Sequence, residues 1–301
     1  MDRGGDGRAA RAPGPHPVFG ALADRHPARR RPDQARRGSR APGEPRARTL
    51  RGAGLSTYRD SAVVLRKLDY GEADRIFTLL TKEHGKVGAI AKGVRKTSSR
   101  LAAPLELYGH VDVLLARGRN LDVIAQVERK PGPRIPADLD RTAYAALVAE
   151  LAERVTEDRN PVENLYELTA WALNQLAADD DPRRGSAYFL AAALDLMGYA
   201  PQLAQCARCE GPLPDAPAPF SAAAGGFLCP RCSDPAEPVY ETGAIKVLRV
   251  IFAGDLALYR RLKLGPGIME AVEEVLASQL EYHLDRRLNS LRFLRRMRTA
   301  G

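Results

Sequence analysis

Four cysteines, Cys206, Cys209, Cys229 and Cys232, are all the chain contains, and they fall as two C-x2-C pairs about twenty residues apart. Each pair can present two sulfurs to one face of a tetrahedron, and Gly225-Gly226 can turn the hairpin between them. The spacing therefore predicts one four-thiolate zinc ion (Zn2+). A redox pair, or a site that has lost its metal, is the remaining reading. Four thiolates leave no coordination position for water, so the ion is expected to be structural. A zinc deaminase would need a His-x-Glu partner, and none of the five histidines begins one; His110-Val111-Asp112 is the nearest.

Other catalytic signatures are missing. The sequence holds no G-x-x-x-x-G-K-[ST], no G-x-G-x-x-G after a strand and no serine elbow. Gly265-Pro266-Gly267 reads as a loop before the last helix, and Asp179-Asp180-Asp181 as a solvated helix start. No enzyme activity is expected.

The second candidate chemistry is phosphate binding. Lys82, Lys86, Lys92, Arg95, Lys96 and Arg100 cluster around two short apolar runs, and Thr97-Ser98-Ser99 adds hydroxyls. Tyr58, Tyr70, Phe77 and Tyr108 are the candidates for base stacking, with Phe77 read more readily as core. An ordinary solvated face is the competing reading of the cations. Arg286, Arg287, Arg292, Arg295, Arg296 and Arg298 form a further basic group at the end of the chain, suited to a helix dipole, DNA or an acidic peptide.

The elements that must position these residues follow from composition and period. The 301 residues suit about two domains, and no run approaches the roughly 20 apolar residues of a membrane helix. The net charge of +9 is uneven: +8 in residues 1–55, +6 in 56–134, −9 in 135–240 and +4 in 241–301. Residues 1–55 hold 13 Arg and 16 Gly plus Pro without a period, so a disordered extension or a start assigned too far upstream is expected there, with a basic arm or a transit peptide as alternatives. Ser61–Leu68, Asp74–Thr81 and Gly85–Lys92 read as strands, and period-two alternation adds Leu105–Leu115 and Leu121–Val127. Five strands in about eighty residues suggest a closed or nearly closed barrel, or an open sheet backed by helices. Gly88 and Gly109 fit bends within it.

After Pro131-Gly132-Pro133 the period is helical. Tyr144, Leu147, Val148, Leu151, Ala152 and Val155 make one stripe, and Asn160-Pro161-Val162-Glu163 reads as the cap of a second helix. A third begins at Asp181-Pro182 and ends at Gly198 and Pro201. Two more run from Thr242 to about Phe252 and from Ile268 to about Asn289. The fold class is α+β.

Tyr58-Arg59-Asp60, Val64-Leu65-Arg66, Gly71-Glu72-Ala73-Asp74-Arg75-Ile76 and the block Leu79–Gly93, continued through Val94–Arg100, resemble the bacterial RecO family of recombination mediators. The likeness covers 57 to about 298. It implies a five-stranded OB-fold barrel over 56–134, a helical domain over 135–301 and a zinc-binding insert at about 203–240. It also implies a non-enzymatic role in DNA repair in the bacterial cytoplasm, near the nucleoid. Such proteins bind single- and double-stranded DNA, anneal complementary strands and engage RecR. They contact the acidic C-terminal tail of single-stranded-DNA-binding protein and so help load RecA. No membrane partner is expected. A zinc-ribbon protein acting on RNA or in transcription, or a zinc-dependent nucleic-acid-modifying enzyme, is the rival reading.

Overall fold

A computed structural model describes residues 56–131, 134–284 and 287–300. The 1–55 extension, Gly132-Pro133 and Arg286 lie outside the described residues. Five strands come first: β1 (Thr57–Tyr70), β2 (Asp74–Thr81), β3 (Gly85–Ala91), β4 (His110–Ala116) and β5 (Asp122–Arg129). They close in the order β1-β2-β3-β5-β4, with β3 and β5 parallel and the other pairs antiparallel. This is the five-stranded OB topology, and closure leaves the sheet no edge. Alternate residues fill the interior, among them Val64, Phe77, Leu79, Val87, Val113 and Ile124.

The alternation at Leu105–Leu115 is only half a strand. Tyr108 takes a left-handed φ of 64°, and a Cβ on Gly109 would lie 2.9 Å from the Glu106 carbonyl oxygen. The chain therefore turns before β4, with the Tyr108 N–H donating to the Val64 carbonyl (2.8 Å) and the Val64 N–H to that of Gly109 (3.0 Å). Leu105 still reaches the barrel core, and Leu101 and Leu107 pack against it, so apolar alternation here reports plugging rather than pairing.

Seven helices follow among the described residues: α1 (Leu139–Val155), α2 (Leu165–Ala178), α3 (Pro182–Leu196), α4 (Thr242–Phe252), α5 (Leu256–Arg261), α6 (Pro266–His283) and α7 (Asn289–Ala300). None is long and apolar enough to cross a membrane. Asp138 caps α1 by accepting from the Arg141 N–H. Asn160-Pro161 does not open α2. Its backbone lies against the β2–β3 turn, where a Cβ on Gly85 would stand 2.5 Å from the Asn160 carbonyl, and the Arg159 N–H donates to the Lys86 carbonyl at 2.9 Å. The helix starts only after Asn164, itself left-handed at φ 62°. Gly265-Pro266 is a helix start rather than a loop, with Pro at a first-turn position, and the expected single last helix is two, α6 and α7.

Gly85 carries φ +67° as well as that close approach. Gly85→Ala is expected to cost on the order of 3 kcal/mol, read as a lower urea midpoint with unchanged slope. A loss under about 0.5 kcal/mol would show that the Asn160 segment yields.

Residue 134 marks the change from strands to helices, but packing divides elsewhere. Residues 56–182 with 293–300 form one compact unit, and 183–292 the other. Within the first, α1 packs on β1 and β2, and α2 on β1. The second holds α3 to α6 and a small sheet of β6 (Ala218–Ser221), β7 (Gly226–Phe227) and β8 (Val239–Tyr240), ordered β7-β6-β8.

Candidate nucleic-acid interface and metal centre

The first knuckle folds because the Cys206 N–H donates to the Gly211 carbonyl (2.8 Å) and the Glu210 N–H to that of Cys206 (2.9 Å). In the second, the N–H groups of Cys232 (3.0 Å) and Ser233 (3.2 Å) both reach the Cys229 carbonyl. Gly225, at φ +79°, turns the β6–β7 hairpin between them, as its position suggested. The Ala207 N–H donating to the Phe227 carbonyl (2.9 Å) ties knuckle to hairpin. Phe220, Phe227 and Tyr240 support that hairpin edge to face, with ring centres 5.1 to 6.3 Å apart.

All four sulfurs lie within 4.8 Å of one another, none is in a disulfide, and Cys209 Sγ is 3.8 Å from Cys229 Sγ. A tetrahedron with metal–sulfur bonds of about 2.3 Å has edges of about 3.8 Å, so the donor set fits a tetrahedral thiophilic ion. Cys206 and Cys229 are buried, and Cys209 is exposed. Burial pushes the Cys206 thiol up, but the N–H groups of Cys229, Cys209 and Arg208 outweigh it and bring it down to about 6. Arg208, one residue before Cys209, fastens the two knuckles: it donates to the Cys232 carbonyl and lies 3.1 Å from Glu237 Oε1. Sequence reasoning passed over that clamp, because nothing in the spacing marks Arg208 as different from its neighbours.

The six basic residues of the barrel separate into two groups. Lys82 Nζ sits 2.8 Å from Glu167 of α2, and Lys86 Nζ reaches Asp158 and the Glu153 carbonyl, each at 3.3 Å. These two fasten helical segments to the barrel. Lys92, Arg95, Lys96 and Arg100 lie together in the turns after β3. The Arg95 N–H donates to the Ala73 carbonyl (2.9 Å), the Arg95 guanidinium reaches the Gly71 carbonyl (3.3 Å) and Asp69 (3.6 Å), and Asp74 accepts from the Gly93 N–H at 2.7 Å. The loop is thereby pinned to the tip of the β1–β2 hairpin. Lys92, Lys96 and Arg100 are exposed and make no ion pair among the described residues. Six residues of strand separate Lys86 from Lys92, about 20 Å at roughly 3.3 Å per residue.

Of the four ring candidates, Phe77 is core at 1% exposure, and Tyr108 is half-buried in its turn. Tyr58 is clasped: its hydroxyl donates to Asp122 (2.5 Å), its ring centre is 4.3 Å from that of His84, and the Arg117 guanidinium lies 5.0 Å from it on a cation–π contact. Burial and the Asp122 carboxylate push the Tyr58 phenol up to about 12. Tyr70, 55% exposed at the hairpin tip, is the ring left open to a ligand.

Asp122 is fully buried and accepts from Tyr58, the Gly118 N–H (2.9 Å) and Arg159 (2.7 Å). Burial pushes this carboxyl up, but the Arg159, Tyr58 and Gly118 donors outweigh it and hold it below its ordinary value. A carboxylate depressed in the folded state contributes stability above its unfolded value, about 3.9, and that contribution fades as pH falls through the folded value. Asp122→Asn is expected to cost about 1–3 kcal/mol at pH 7. The gap in melting temperature from the parent should narrow below about pH 4; a gap constant from pH 7 to 3 would contradict the charged network.

Comparison with known families returns two matches that divide the chain as its elements do. Residues 55–130 match the model for the N-terminal part of recombination protein O, and residues 136–292 the model for its C-terminal part.

Proposed function

The chain belongs to the recombination protein O family, a family of recombination mediators, and from that premise we propose that the barrel grips DNA backbones while a zinc ion props the helical unit. Residues 56–134 act as the nucleic-acid-binding domain, and 135–301 as a helical domain whose insert at 203–240 holds one Zn2+ on Cys206, Cys209, Cys229 and Cys232. The observation that carries the DNA reading is the loop of unpaired cations, Lys92, Lys96 and Arg100 beside Arg95, pinned to an OB-type barrel next to Tyr70. Backbone contacts neutralise charge on any sequence, as annealing two strands requires, and release counterions as they form. Lys82 and Lys86 contribute to the same field while holding their acidic partners.

The protein acts in the cytoplasm without catalysing a reaction. It binds single- and double-stranded DNA, engages RecR and the acidic tail of single-stranded-DNA-binding protein, and helps RecA onto coated strands. The zinc supplies a rigid cross-link between the knuckles and, with four thiolates around it, no reactive position. The test is an annealing assay on complementary strands coated with single-stranded-DNA-binding protein, with zinc measured on the same sample. Annealing of coated strands by protein carrying one zinc per chain is expected. Annealing only of bare strands would overturn the role at coated DNA. Preference for RNA strands would favour the RNA-binding alternative.

A further inference from the structure

Three of the four thiols are sheltered, and one is not. Cys206 and Cys229 form a small core with Leu228, and Cys232 packs against it. Cys209 stands outside that core and is exposed, between exposed Arg208 and Glu210. The sequence leaves it uncovered, because Gly211 follows two residues on. A Cβ at Gly211 would meet the Cys209 sulfur at 3.5 Å and, apart from its chain neighbours, nothing else within 4 Å among the described residues. Yet this open sulfur lies only 3.8 Å from that of buried Cys229, on the other knuckle.

The turn that carries Cys209 is also under strain. Glu210 has a left-handed φ of 58°, which a residue with a side chain rarely adopts, while its N–H donates to the Cys206 carbonyl at 2.9 Å. Such a turn persists where its surroundings over-determine it, and the ligated sulfur of Cys209 is one of those ties.

We infer that Cys209 is a peroxide-sensitive thiolate whose oxidation joins it to Cys229, releases the metal and unlocks the insert. The inference rests on the zinc reading above and adds to it a modification site and a redox regulation. The oxidant is hydrogen peroxide. The Cys209 sulfur attacks one peroxide oxygen: an S–O bond forms, the O–O bond breaks and hydroxide leaves, giving a sulfenic acid. The Cys229 thiolate then attacks the Cys209 sulfur: an S–S bond forms, the S–O bond breaks and a second hydroxide leaves. Two protons from solvent convert the hydroxides to water. The two thiolates lose the two electrons that peroxide gains. Cys206 and Cys232 alone no longer enclose an ion, and the cross-link between the knuckles is gone.

The test treats the whole zinc-loaded protein with hydrogen peroxide and follows three readouts: zinc captured by a chromogenic chelator, peptide mapping of the cysteines, and protease cleavage in the insert. Release of the zinc, a Cys209–Cys229 disulfide and cleavage that reductant with added zinc reverses are expected. Cys209→His offers zinc a nitrogen ligand but cannot form the disulfide, so its zinc should leave at least about tenfold more slowly. Gly211→Val keeps all four thiolates and covers the open sulfur, and should slow release about fivefold. If the parent holds zinc and peroxide releases it no faster than from Gly211→Val, the inference is wrong. A disulfide that excludes Cys209, or oxidation that reductant cannot reverse, overturns it as well. A parent that neither carries nor takes up zinc brings down the metal reading itself.

Discussion

Alanine at Cys206 or Cys229 will leave the purified chain without zinc and open its insert to protease, while the barrel stays folded. Three thiolates cannot close the tetrahedron, and structural zinc contributes on the order of 10 kcal/mol to small modules at pH 7. The knuckles themselves have little else: Cys206, Leu228 and Cys229 form a small core, with Leu213 and Ala224 beside it, and the rings of Phe220, Phe227 and Tyr240 support the hairpin between them. The first compact unit contains none of these residues, so loss should stay local. Limited proteolysis with mass spectrometry reads it as cleavage within 203–240 in the variants and in chelated parent. A zinc-free variant whose insert resists protease like the parent would show that Phe220, Phe227 and Tyr240 suffice to hold it.

Reversing Lys92, Arg95 and Lys96 to Glu should reduce single-strand affinity on the order of 100-fold at 50 mM salt and flatten the salt dependence by about two units. Each lost phosphate contact removes about 0.7 from that slope, and the new carboxylates repel the backbone. Arg95 also faces Asp69 at 3.6 Å, so its reversal sets two acids together at the hairpin. Lys92→Glu, Lys96→Glu and Arg100→Glu together avoid that contact and should give the same loss. Unchanged binding in both triple variants, with melting temperatures intact, would remove the loop from the interface.

Much of this was legible in the residues. The thiol spacing led to the cluster of four sulfurs because C-x2-C geometry is local: one tight turn brings two sulfurs together wherever it occurs. The boundaries of β2 and α4 were readable because their apolar positions follow one period and turn residues flank them. What failed was long-range. The Leu105–Leu115 alternation could not reveal that Tyr108 turns back to pair with Val64, more than forty positions earlier. Asn160-Pro161 has the chemistry of a cap, yet its backbone is spent against Gly85. The basic cluster named charges without their partners: Glu167 and Asp158 lie far along the chain from Lys82 and Lys86, and only the fold sets them in contact.

Titration of a labelled oligo-dT with the whole protein across a series of salt concentrations puts the central claim at risk most directly. The account predicts tight binding in dilute buffer, indifference to base sequence and a slope that corresponds to several neutralised phosphates. A chain that leaves the oligonucleotide free at low salt, or binds it with no dependence on salt, would contradict it.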